Sequence, residues 1–151
     1  CGPLSAAISE SALTNSIVAV QVMKGRDVFR ETSGFVVQAD RFNGYIVTNA
    51  ETIAGADSLS VSVPGTGGRL VAQIVRTDLS NDYALLKVNG LDLPALEFSK
   101  TEPLSGEVCN SYGFRLFEFF YSIFVFGTPT LNSIYVWLRT LYDFISLTFF
   151  G

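Results

Sequence analysis

Between residues 16 and 98, short β-branched runs alternate with Gly-, Asn- and Asp-bearing breaks. No run has the length and 3.6-residue periodicity of a helix. "SIVAVQV" (16–22) is followed by the polar break Lys24-Gly25-Arg26-Asp27, and "VFRETSGFVV" (28–37) resumes extended chain. "ADRFNG" (39–44) carries an Asn-Gly pair, which favours a tight turn with positive φ, and "GYIVTN" (44–49) follows as a strand. "SLSVSV" (58–63) sets Leu59, Val61 and Val63 against serines at period two, the pattern of a half-buried strand. "GTGG" (65–68) lies between it and "RLVAQIVRT" (69–77) without the Lys-Ser/Thr of a phosphate loop, so it reads as a hairpin turn. "YALLKV" (83–88) makes about six strands, which predicts a mainly β domain built as an antiparallel barrel or sandwich.

Several chemistries are closed to this sequence. Its 151 residues contain no His, which removes the usual general base near neutral pH and the commonest metal ligand. A net charge of −4 with no Lys/Arg cluster argues against a nucleic-acid surface. Cys1 and Cys109 form neither a CxxC pair nor a metal set. Cys109 reads as a buried thiol in an apolar strand, and Ser33 and Ser111 have no histidine to activate them. Cys1-Gly2-Pro3 reads either as a processed lipoprotein terminus, with Cys1 as the lipid attachment site, or as a fragment boundary.

Composition changes near residue 113. Seven aromatics precede it, and thirteen crowd the last 38 residues, where Ala and Lys are absent. Residues 119–138, "FFYSIFVFGTPTLNSIYVWL", are uncharged, and as a helix they would span about 30 Å, the thickness of the bilayer hydrocarbon. Tyr121, Tyr135 and Trp137 sit near the ends as interfacial aromatics do, while Gly127, Thr128, Pro129, Thr130 and Asn132 interrupt the middle. The same tail reads alternatively as the completion of a soluble β core, or as translated A/T-rich noncoding or out-of-frame sequence.

The ordered segments "SIVAVQV", "SGFVVQADRFNGYIVTNAETIAGADSLSVSV", "GRLVAQIVRTDLSNDYALLKVNG", "LPALEFS" and "GEVCNSYGF" cover residues 16–114. Together they resemble the N-terminal half of the Deg/HtrA-type trypsin-like serine proteases. The resemblance implies the first β-barrel of a chymotrypsin-like fold, with about six antiparallel strands. In that family the first barrel supplies the triad His and Asp, and the second supplies the nucleophilic Ser. Carried over by position, the histidine site is Glu51 and the aspartate site is Asp82, and the family's Gly-Asn-Ser-Gly-Gly has no counterpart. A carboxylate is a much weaker base than imidazole and cannot bridge Asp and Ser, so catalysis of the family's type is not expected. A carboxylate pair or cation site at Glu51 and Asp82 lacks any identifiable supporting groups, and Asp78 reads as a turn cap.

The expected organisation is an N-terminal linker or anchor at 1–15, a degenerate barrel at 16–113 and an aromatic tail at 114–151. No cofactor or metal is expected. The expected function is a non-catalytic, protease-derived accessory or scaffolding subunit of a membrane assembly. Its partners would be proteins, the barrel would be extracytoplasmic and the tail would lie at the membrane. The alternative is a truncated or inactive endopeptidase whose second barrel is missing or supplied by another chain.

Overall fold

A computed structural model describes residues 15–63, 66–98, 104–106, 108–115, 118–125 and 144–145. Six strands build the barrel: β1 (Ile17–Lys24), β2 (Asp27–Ala39), β3 (Asn43–Thr48), β4 (Ser58–Ser62), β5 (Arg69–Asp78) and β6 (Tyr83–Asn89). They close in the order β1-β2-β3-β6-β5-β4, each neighbouring pair antiparallel. One short helix, α1 (Ala50–Ile53), links β3 to β4. The expected barrel of about six antiparallel strands is therefore present.

Period-two alternation accounts for the barrel interior. Val18, Val20 and Val22 of β1, Leu59 and Val61 of β4, and Ala84, Leu86 and Val88 of β6 point inward into one buried cluster. That cluster also takes Val36, Ile46 and Ala72, with Ala50 and Ile53 of α1 and with Leu91. Strands β1 and β6 are buried on their outer faces as well, at Ile17, Ala19, Gln21, Tyr83 and Leu85. This is why both read as continuous apolar runs rather than as alternating ones. Gln21 is the polar exception: its side-chain amide donates to Glu31 at 3.4 Å and its carbonyl accepts from the Ser60 hydroxyl at 3.1 Å, across β2-β1-β4. The two bonds satisfy a polar group that is otherwise costly to bury.

Turn chemistry follows the sequence at three of the four barrel hairpins. Gly25 takes φ +61 between β1 and β2, and Gly67 takes φ +68 in the β4–β5 turn, as Gly does without steric cost. The Asn43-Gly44 pair does not form the expected positive-φ turn. It opens β3, where Gly44 is buried and a Cβ would lie 2.6 Å from Leu91 Cδ2. Close packing is what that glycine serves, and the turn sits earlier, organised by a carboxylate. Asp40 Oδ1 accepts from the backbone N–H groups of Phe42 and Asn43, both at 2.8 Å. Asp78 does the same work after β5, accepting from the Asn81 backbone at 3.1 Å and from its side-chain amide at 2.9 Å, as the sequence led us to expect.

These bonds hold both carboxyls below their ordinary value of 3.8, Asp40 chiefly through the Phe42 N–H and Asp78 chiefly through the Asn81 side chain. The native carboxylates bind protons less readily than the unfolded ones. Their contribution is thus present above the unfolded value and is lost as pH falls towards the folded one. Thermal midpoints measured from about pH 5 to about pH 2 should fall less steeply in the Asp40→Asn, Asp78→Asn double variant than in the parent.

The chain divides into two compact units, one of Glu10–Leu96 with Tyr112–Phe120, the other of Cys1–Ser9, Glu97–Ser111 and Tyr121–Gly151. Strands β7 (Val108–Arg115) and β8 (Glu118–Val125) form a separate two-stranded sheet. Over 119–125 the chain is therefore extended where the length of the uncharged run suggested a helix. The local density of Phe, Tyr, Ile and Val suits a paired strand. The rest of that run, 126–138, lies outside the described residues. Among the described residues no helix is long and apolar enough to cross a membrane.

Candidate functional site

Strand β3 delivers the site. Its last residue, Thr48, is buried, and its hydroxyl donates to the Ser33 carbonyl at 2.9 Å, pinning the end of β3 to β2. The next residue, Asn49, stays extended (φ −77, ψ 128) and starts α1. Ala50 and Ile53 turn into the core and fix the helix, which leaves Glu51 on its exposed side.

Asn49 occupies the cap position of α1 but makes no side-chain cap bond. The cap comes instead from Asp82, 31 residues along the chain from Glu51. Asp82 Oδ1 accepts from the Glu51 backbone N–H at 2.7 Å, and Oδ2 accepts from the Asn49 side-chain amide at 2.9 Å. The Asp82 carbonyl accepts from the Ala50 N–H at 3.4 Å. Asp82 reaches this position in the left-handed region, φ +62, which Asp tolerates better than most residues. The sequence thus brings together the two residues it singled out, Glu51 and Asp82. Their link runs from carboxylate to backbone rather than between two side chains.

The far end of α1 is held by β1 and β2. Arg30 donates to the Thr52 carbonyl at 3.5 Å, Lys24 donates to the Gly55 carbonyl, and the Gly25 N–H donates to Asp57 Oδ2 at 2.9 Å. Two cations therefore face the carbonyl end of the helix, the favourable placement for a helix terminus. Sequence reasoning missed these contacts and the cap that Asp82 places on α1. All of them bridge residues distant in sequence, and no local pattern encodes them.

Chemically, both Asp82 oxygens are engaged by N–H donors, so this carboxylate works as a structural acceptor. Glu51 presents an exposed acid beside it. No three His, Cys, Asp or Glu residues come together as a metal site among the described residues. Ser33 lies in β2 with its carbonyl committed to Thr48. Cys109 and Ser111 lie in β7, and Cys1 lies outside the described residues. Substituting Asp82→Ala removes two charge-assisted bonds and places a non-glycine, non-polar residue at positive φ. We expect a loss of about 2 kcal/mol in chemical denaturation, with Asp82→Asn recovering part of it.

Residues 32–138 match the family profile described as the trypsin-like peptidase domain. Over 72 residues the chain is 43% identical to a probable periplasmic serine endoprotease, DegP-like, of Pseudomonas fluorescens, and 42% identical to its Halomonas elongata counterpart. Each alignment covers 48% of this chain and 14% of the relative. Among solved structures, the active form of the Rv3671c protease from M. tuberculosis aligns with TM-score 0.64 and 26% identity, covering 80% of this chain and 49% of that one. The serine endoprotease from Yersinia pestis aligns with TM-score 0.66 at 23% identity, covering 80% of this chain and 45% of that one, a likeness of fold.

Proposed function

This chain belongs to the trypsin-like peptidase domain family, and we propose that within it the domain is non-catalytic, an accessory or scaffolding subunit of an extracytoplasmic, membrane-associated assembly. The observation that carries this reading is Glu51. It occupies the position that the family resemblance assigns to the triad histidine, at the start of α1, with its backbone N–H donating to Asp82. An exposed carboxylate there cannot take a proton from a serine and return it to a leaving amine near neutral pH. Glu51 is exposed on α1, which links β3 to β4 of the barrel.

The extracytoplasmic placement follows the relatives, which are named as probable periplasmic proteins. Membrane association rests on composition, the uncharged run 119–138 with its aromatics. Flotation of the 151-residue chain with phosphatidylethanolamine/phosphatidylglycerol vesicles tests this part. The chain should float with the lipid and resist release by high salt. A chain that remains in the dense fractions would remove the membrane assignment.

A second reading is supported by the way Asp82 still braces α1. On it, the chain is an inactive half of a Deg/HtrA-type endopeptidase whose second barrel is supplied separately. Glu51→His combined in trans with the second barrel of a DegP-like relative should then hydrolyse a peptide substrate, and no turnover would dismiss it.

A further inference from the structure

Asn-Gly occurs twice in the chain, at Asn43-Gly44 and at Asn89-Gly90. The dipeptide is chemically labile, because glycine carries no side chain to keep its nitrogen from the preceding carboxamide. The barrel sets Asn43 and Asn89 opposite each other, in the end pair of the β3–β6 ladder, yet surrounds them differently. The Asn43 carboxamide donates to the two oxygens of Asp40 at 3.4 and 3.5 Å, and its carbonyl accepts from the Asp40 N–H at 2.9 Å. Gly44 is paired on both sides, with Ala39 and Val88, and Leu91 Cδ2 lies 2.6 Å from where its Cβ would stand. Ring closure at Asn43 would need a nitrogen held inside the sheet and space that Leu91 fills.

Asn89 is the last residue of β6 and is exposed, beyond the point where the ladder with β5 ends at Val88. Gly90 follows in the left-handed region, φ +79, with nothing within 4 Å of the place a Cβ would take. Its N–H donates to the Phe42 carbonyl at 2.7 Å, outside the end pair of the ladder. Such terminal bonds open at much lower free energy than those within a sheet. We propose that Asn89 is a site of spontaneous covalent modification, deamidating through a succinimide in the folded chain, while the same dipeptide at Asn43 is shielded. When the bond to Phe42 opens, the Gly90 nitrogen attacks Asn89 Cγ, and its proton departs with the side-chain nitrogen as ammonia. Water then opens the ring at either carbonyl, giving aspartate or isoaspartate without any oxidation or reduction. Both products place a carboxylate opposite Asn43, and isoaspartate also lengthens the backbone between β6 and Gly90.

Ageing the full chain at mildly alkaline pH, folded and in urea, followed by tryptic peptide mapping, tests the site. Asn43 and Asn89 fall in separate peptides, 42–69 and 88–100, and fragmentation distinguishes Asn43 from Asn49 in the first. In the folded chain deamidation should accumulate at Asn89 about tenfold or more faster than at Asn43, and in urea that difference should close. Asn89→Gln should abolish the fast modification and leave both the slow one at Asn43 and the circular dichroism spectrum unchanged. Equal rates at the two sites in the folded chain overturn the proposal, as does a folded chain in which Asn89 stays intact. A difference that persists undiminished in urea also overturns it, because the selectivity would then come from neighbouring sequence rather than from the fold.

Discussion

Replacing Gly34 with valine should cost about 3 kcal/mol or more, and Gly34→Ala about half as much. Gly34 lies in β2 opposite Val18, on the inward face of the barrel. A Cβ there would stand 2.6 Å from Ile46 Cγ2, 2.9 Å from Val20 Cγ2 and 3.2 Å from the Val47 carbonyl oxygen. Ile46 and Val20 are fully buried in adjoining strands of a closed sheet, so neither can withdraw without displacing its own ladder. The backbone of Gly34 is not in the left-handed region, and the penalty is therefore one of space rather than of conformation. Urea denaturation should report it as a lower midpoint with little change in slope. Retention of parental stability would mean that the interior around Ile46 is looser than described.

Leu86→Ala should be comparably severe, by removal rather than addition. Leu86 is completely buried at the middle of β6, opposite Ile46 of β3 on one side and Ile74 of β5 on the other. Truncation removes the transfer free energy of its methyl groups and leaves a cavity that a closed ring of strands cannot collapse into. The expected loss is about 2–5 kcal/mol, a large share of the roughly 5–15 kcal/mol that holds a typical domain together. Differential scanning calorimetry should show the midpoint falling by roughly 10–25 °C. Val71→Ala on β5, where the side chain is 71% exposed, is the matched control and should shift stability by less than about 0.5 kcal/mol.

These two positions show how far the sequence carries the structure. Leu86 belongs to a continuous apolar run, and that run, with the alternation of Leu59 and Val61, was enough to indicate strands and a β core. Strand pairing and closure depend on long-range contacts, which the family resemblance supplied and periodicity did not. Gly34 was visible only as one residue of the extended run 28–37; its packing against Ile46 and Val20 joins three strands. The Asn43-Gly44 pair misled because a burial requirement at Gly44, set by Leu91, overrides the local turn preference. The pairing of Glu51 with Asp82 was legible by position, but its form was not. Nothing in "TNAET" or "SNDY" says that the carboxylate would meet a backbone N–H and an Asn49 amide.

On the function proposed above, Glu51 at the base position leaves this domain without peptidase chemistry. Turnover of an unfolded protein substrate such as reduced casein, measured with the 151-residue chain and with its Glu51→Gln variant at neutral pH, tests it most directly. Neither should exceed the rate without protein. Hydrolysis by the parent that disappears in Glu51→Gln would contradict it, because the carboxylate would then be acting as the base that the geometry denies it.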